Sequence, residues 1–91
     1  MVYITHIRLS TRGTRHEHIT DVKWRNPSNE DTGQSTRATM VDWIKNKSGD
    51  ARVRDNAGHD VRVGVVDANP PYIRTYADKV WTDNLLALPH F

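Results

Sequence analysis

The chain has 91 residues, 36% of them apolar, with 13 basic and 11 acidic side chains and a formal charge of +2. That length sets one domain, residues 1–91, with a small core, because folding at this size buries only about two-thirds of the surface of the unfolded chain. The small charge excess is no ground for nucleic-acid binding, the lack of cysteine removes disulfides and thiolate zinc sites and fits a cytoplasmic protein, and no apolar run nears the ~20 residues of a membrane span.

The apolar residues fall in short patterned runs, which separates the chain from disordered sequences. Residues 2–9 alternate like a strand and lack the basic start and long apolar core of a signal peptide. Ser10 to Thr14 turns the chain, with Gly13 available for unusual backbone angles. His16 to Trp24 reads as a second strand, giving an N-terminal hairpin. Its apolar parity changes between Ile19 and Val22, which predicts a bulge or a bend there.

Residues 26–34 are polar and without period, and are expected to form a mobile connection. Ser35 or Thr36 then caps a helix running to about Lys47. At about 100° per residue, Met40, Val41, Trp43 and Ile44 share one arc of the helix. Ser48-Gly49-Asp50 ends it.

Ala51 to Asp55 is a short third strand, and Asn56-Ala57-Gly58 a turn. Val61, Val63 and Val65 share one face of a fourth strand. Asp67 to Pro71 breaks it, because proline donates nothing to a ladder. Tyr72 to Tyr76 is a fifth strand, and Val80-Trp81-Thr82 is placed to pair back on it. Residues 83–91 form an apolar tail, with Asp83-Asn84 capping a turn that brings Leu85, Leu86 and Leu88 onto the core. The expected class is α+β: a mainly antiparallel sheet of about five strands in β-β-α-β-β-β order, with one helix packed on one face.

The run Tyr72-Ile73-Arg74-Thr75, followed by Ala77-Asp78 and then Thr82-Asp83-Asn84-Leu85-Leu86-Ala87-Leu88-Pro89, resembles the small bacterial and phage-associated family known as domain of unknown function 3892. Ile4-Thr5-His6-Ile7-Arg8, Ile19-Thr20-Asp21-Val22, Met40-Val41-Asp42-Trp43-Ile44 and Ala51-Arg52-Val53-Arg54-Asp55 are similar to it as well. Asp78-Lys79 stands where the family pattern has Asp-Gly. The resemblance supports the fold, implies no activity, and makes a phage- or host-associated role a speculation.

The chemistry-bearing residues point to binding. Arg52 and Arg54, Arg62, and Tyr72, Arg74 and Tyr76 each lie on one parity of their strands. Paired in order, they form an arginine–tyrosine sheet face of the kind that stacks bases and holds phosphates. The plain alternative is a solvated face whose arginines pair with Asp50, Asp55, Asp60 and Asp67. Arginine outnumbers lysine nine to four, and its planar fork suits carboxylate or phosphate.

Of three tryptophans, Trp43 and Trp81 read as core. Trp24, with Arg25 beside it before a polar loop, reads as the exposed interface anchor. His16 and His18, two apart on the predicted second strand, and His6 on its neighbour are weak metal ligands without a fourth partner type. No catalytic constellation and no cofactor motif is recognisable. The expected function is a non-enzymatic binding module with a protein partner. The alternative is nucleotide or nucleic-acid phosphate binding through the arginine–tyrosine face. A homodimer through an unpaired sheet edge is compatible with either.

Overall fold

In a computed structural model describing residues 1–91, the chain forms one helix and a single sheet of seven strands. Strand β1 is Val2–Leu9 and β2 is Ile19–Arg25, paired antiparallel. The bulge expected near Ile19 sits at Thr20, where Arg8 faces Asp21 but Leu9 faces Ile19. A second lies at Thr5, between the Ile4–Trp24 and His6–Lys23 pairs. Each extra residue switches parity, so Ile4 and Ile7 on β1 and Ile19 and Val22 on β2 all reach the core.

The second strand starts later than its sequence suggests. His16–His18 is a 3-10 turn, held because His18 Nδ1 accepts from the backbone N–H groups of Thr14 and Arg15 at 2.9 and 3.0 Å. Gly13 lies against His18 Cβ, where any side chain would approach to under 3.0 Å.

The polar connection also departs from expectation. Thr32–Thr36 is strand β3, antiparallel to β2 at one edge of the sheet. Helix α1, Arg37–Asn46, follows directly, and its N-cap is Thr36, whose Oγ1 accepts from Thr39 N–H at 3.2 Å. The helix closes with Gly49 N–H donating to Trp43 O at 2.9 Å. Strands β4, Ala51–Arg54, β5, Asp60–Val66, β6, Tyr72–Ala77, and β7, Val80–Thr82, then form an antiparallel meander.

The sheet order is β3-β2-β1-β4-β5-β6-β7, so the count is seven strands and not about five. β1 and β4 are parallel and pair only at Val2–Ala51 and Tyr3–Arg52. Beyond that short joint the C-terminal tail takes over the same edge of β1. Ile7 N–H donates to Pro89 O and Phe91 N–H to Ile7 O, both at 3.0 Å.

α1 touches β2 and β3 on one side and β5 and β6 on the other. β3 and β6 are five places apart in the strand order, about 24 Å in a flat sheet. A helix with its side chains is only about 10–12 Å across, so the sheet curls around α1. Met40, Val41, Val53, Val63, Ile73 and Leu85 meet inside the curl. Leu85 is fully buried, which contributes roughly 1.5–3 kcal/mol. Leu86 and Leu88 are half-buried against the same core, as are Ile44 and Val65. Thr75 is buried without penalty, because its hydroxyl donates to Thr82 O at 3.1 Å. α1 has only ten residues, and no helix is long and apolar enough to cross a membrane.

Candidate functional site on the outer sheet face

Side chains that oppose one another in a ladder point to the same side of the sheet. The registers therefore align Arg25, Tyr3, Arg52, Arg62, Tyr76 and Trp81 in one row across β2, β1, β4, β5, β6 and β7. Arg54 lies on the same side opposite Asp60, Arg74 opposite Gly64 and Tyr72 opposite Val66. The six arginines and tyrosines singled out in the sequence thus share the outer face, away from α1.

Their partners differ. Arg52 makes a two-pronged pair with Asp50, Nε to Oδ1 and a terminal nitrogen to Oδ2, each at 3.0 Å. Arg54 Nε donates to Asp60 Oδ1 at 3.2 Å. Tyr3 donates its hydroxyl to Asp60 Oδ2 at 2.9 Å, and Arg54 donates to the Tyr3 oxygen. The guanidinium of Arg54 also sits over the Tyr3 ring, 4.7 Å from its centre. The Arg52 fork holds Asp50 below the usual carboxylate range, and the Tyr3 hydroxyl first, then Arg54, does the same for Asp60. The same contacts raise Arg52 and Arg54. Asp55 and Asp67 pair elsewhere, with His59 and Lys45.

Arg74 is turned aside, its Nε donating to Thr82 O at 3.0 Å and a terminal nitrogen to Asp83 at 2.8 Å. Arg25 lies 3.6 Å from Glu30. Arg62 is the loosest of the row. Its Nε is 4.0 Å from Asp50, and its side chain is 66% exposed.

Next to Arg62, Tyr76 and Trp81 pack edge to face at 4.9 Å between ring centres. Both are exposed, as is the adjoining Val80. The Trp81 ring overhangs Gly64, where a Cβ would lie 3.3 Å from it. This leaves an open depression between Arg62, Gly64, Tyr76 and Trp81.

The tryptophan expectation is reversed. Trp24 pairs with Ile4 and Gly33 on the inward side, is half-buried against the core, and donates Nε1–H to Ser35 Oγ at 3.1 Å. Trp81, expected in the core, is exposed because it belongs to the outward parity of an edge strand. Trp24 and Trp43 instead line a groove of about 330 Å³ between α1 and the β2–β3 ladder.

The histidines do not converge, and no group of three or more possible metal ligands exists. His6 Nδ1 lies 2.9 Å from Thr5 Oγ1, and His18 is occupied by the turn. His16 is buried, its Nε2 without a hydrogen-bond partner and 3.9 Å from Asp83. Burial first, and the nearby Arg74 charge second, lower its pKa.

Tyr3, Gly64 and Trp81 are members of this face that the sequence did not single out. Tyr3 would have followed from the β1–β4 pairing, which joins strands far apart in sequence and leaves no local signal. No curated protein and no solved structure matches the chain. A family model described as "Protein of unknown function (DUF3892)" matches residues 3–89, a span that includes β6, β7 and the tail that closes the core, and the chain belongs to that family.

Proposed function

We propose that the chain is a non-enzymatic binding module that engages another protein through its outer sheet face, with Arg62, Tyr76 and Trp81 as the anchor. The observation that carries this reading is the exposed cluster at the β6–β7 corner. Three of the four exposed large apolar side chains, Tyr76, Val80 and Trp81, lie there, beside the least engaged arginine of the row. Tryptophan, tyrosine and arginine are the residues that dominate binding energy at protein interfaces. A neighbouring short edge strand adds unpaired backbone groups for a partner to meet. The other arginines of the face are engaged by Asp50, Asp60, Asp83 and Glu30, which favours a partner over a phosphate chain.

The test is affinity capture from a host lysate with the wild-type chain and with Trp81→Ser and Arg62→Glu, each shown to melt like wild type. Proteins retained by wild type and lost from both variants support the reading. Identical sets from all three overturn it.

A second reading is phosphate recognition by the same corner, favoured by Arg62 standing next to an exposed aromatic pair on which a base can stack. Labelled single-stranded (dT)20 then binds with an affinity that falls log-linearly with salt and is lost in Arg62→Glu. Absence of (dT)20 binding at low salt removes this reading.

A further inference from the structure

We propose that the groove between α1 and the β2–β3 ladder is a binding site for a small organic ammonium ion. The groove is separate from the outer face, and its volume of about 330 Å³ is that of a small-ligand pocket. Two indoles line it, and both are fixed before any ligand arrives. Trp24 lies across Gly33, where a Cβ would approach to under 3.0 Å, and Ser35 Oγ holds its Nε1–H. Trp43 rests on Gly49, where a Cβ would come equally close to both atoms of the fused ring bond and to the neighbouring atom of the six-membered ring, the mark of contact with a ring face. Gly49 borders the separate depression beside Arg62, whereas Trp43 borders the groove.

The charge at the groove is opposite to that of the chain. Asp31 and Asp42 stand against Lys47 alone, in a chain of formal charge +2. Asn46 donates to Asp42 Oδ1 at 2.8 Å and, with Lys47, holds that carboxyl below its ordinary range, so it is ionised at neutral pH. The Lys47 ammonium lies 3.5 Å from Asp42 on a side chain that is 68% exposed. It competes with an incoming cation for the Asp42 carboxylate, and its exposed side chain is free to swing away.

Indole faces attract cations, and a methylated ammonium most readily, because it is weakly hydrated and offers an apolar surface. Anions meet two carboxylates in the groove. Neutral ligands gain from the rings and nothing from the charges. The combination of two indoles and excess carboxylate therefore selects an ammonium group.

The experiment titrates the ¹⁵N-labelled chain with choline and with its neutral isostere 3,3-dimethylbutan-1-ol, reading the three indole N–H signals. Choline is expected to shift Trp24 and Trp43 saturably and leave Trp81 unmoved, with the alcohol at least about tenfold weaker. Asp31→Asn together with Asp42→Asn weakens choline about tenfold or more, while Lys47→Gln tightens it. No saturable shift, an equal response to both probes, or weaker binding by Lys47→Gln overturns the proposal. Should the double variant lose helix by circular dichroism, Lys47→Gln decides alone, since its side chain is exposed and supports no fold contact beyond Asp42.

Discussion

Tyr3 on β1 donates its hydroxyl to Asp60 on β5 at 2.9 Å, reaching past β4, which lies between the two strands. The reach is possible because Tyr3 pairs with Arg52 while Asp60 pairs with Arg54, two residues further along the same short strand. Tyr3 is buried on a face that is otherwise wet, with guanidinium groups of Arg54 and Arg25 over its ring at 4.7 and 5.7 Å. The β1–β4 joint has only two residue pairs, so this network reinforces the narrowest link between the two halves of the sheet.

Tyr3→Phe keeps the ring and removes the hydroxyl. The Asp60 carboxylate then loses the donor that contributes most to its lowered pKa. We expect the melting temperature to fall by about 4–8 °C, the scale of one net hydrogen bond in a domain of this size. An unchanged melting temperature would mean that water replaces the hydroxyl at no cost.

His16 makes stability depend on pH in a predictable direction. Its folded pKa lies below the ordinary 6.5, through burial first and Arg74 second, against weaker opposing pulls from Asp83 and Glu17. When pH drops below 6.5 the unfolded chain takes up a proton at this position that the folded chain refuses, so stability falls until the folded pKa is passed. Asp42, Asp50 and Asp60, depressed below 3.8, add a separate loss only at more acidic pH. Urea midpoints between pH 7.5 and 4.5 should decline for wild type. The decline should flatten in His16→Leu, which also removes the unpartnered Nε2. Parallel slopes for the two proteins would place the acid sensitivity elsewhere.

The tail is divided between plug and clasp. Leu85 is fully buried while Leu86 is half-buried, so Leu85→Ala should cost about 2–5 kcal/mol and Leu86→Ala less. Deleting residues 89–91 removes the bonds that pair the chain end with Ile7, and the Phe91 ring that lies 4.4 Å from Arg8 and 4.7 Å from Lys23. Hydrogen exchange at the Ile7 amide should then accelerate while the Val63 and Ile73 amides stay protected. An Ile7 amide that exchanges no faster after truncation would show the clasp to be dispensable.

Where side chains alternate between water and core, the fold is legible in the chain. Val61, Val63 and Val65 mark β5, Thr36 caps the helix, and the parity break after Ile19 locates a bulge. β3 is invisible by the same logic. Thr32-Gly33-Gln34-Ser35-Thr36 has no apolar residue, because it is an edge strand whose inward positions are a glycine under Trp24 and a serine bonded to it. The outer face is legible in part. Parity alone groups Arg52, Arg54, Arg62 and Tyr76, but adding Tyr3 requires a parallel contact between strands almost fifty positions apart. Exchange of the roles of Trp24 and Trp81 has the same origin, since a tryptophan's exposure is set by what the rest of the chain lays over it.

Gly33→Ala tests that last dependence directly. The backbone at Gly33 is ordinary strand, so the substitution brings no conformational strain of its own. Its Cβ would meet three atoms of the Trp24 ring at under 3.0 Å, and the cross-strand pairing leaves the methyl no other direction. The indole must swing off the strand, break its bond to Ser35 and open the wall of the helix-side groove. Such overpacking costs about 1–3 kcal/mol. Tryptophan emission should shift to the red as Trp24 meets water. The same spectrum in a Trp24→Phe background should not move, which assigns the change to this ring and not to Trp43 or Trp81. Wild-type emission retained in Gly33→Ala would mean that the edge strand, and not the indole, gives way.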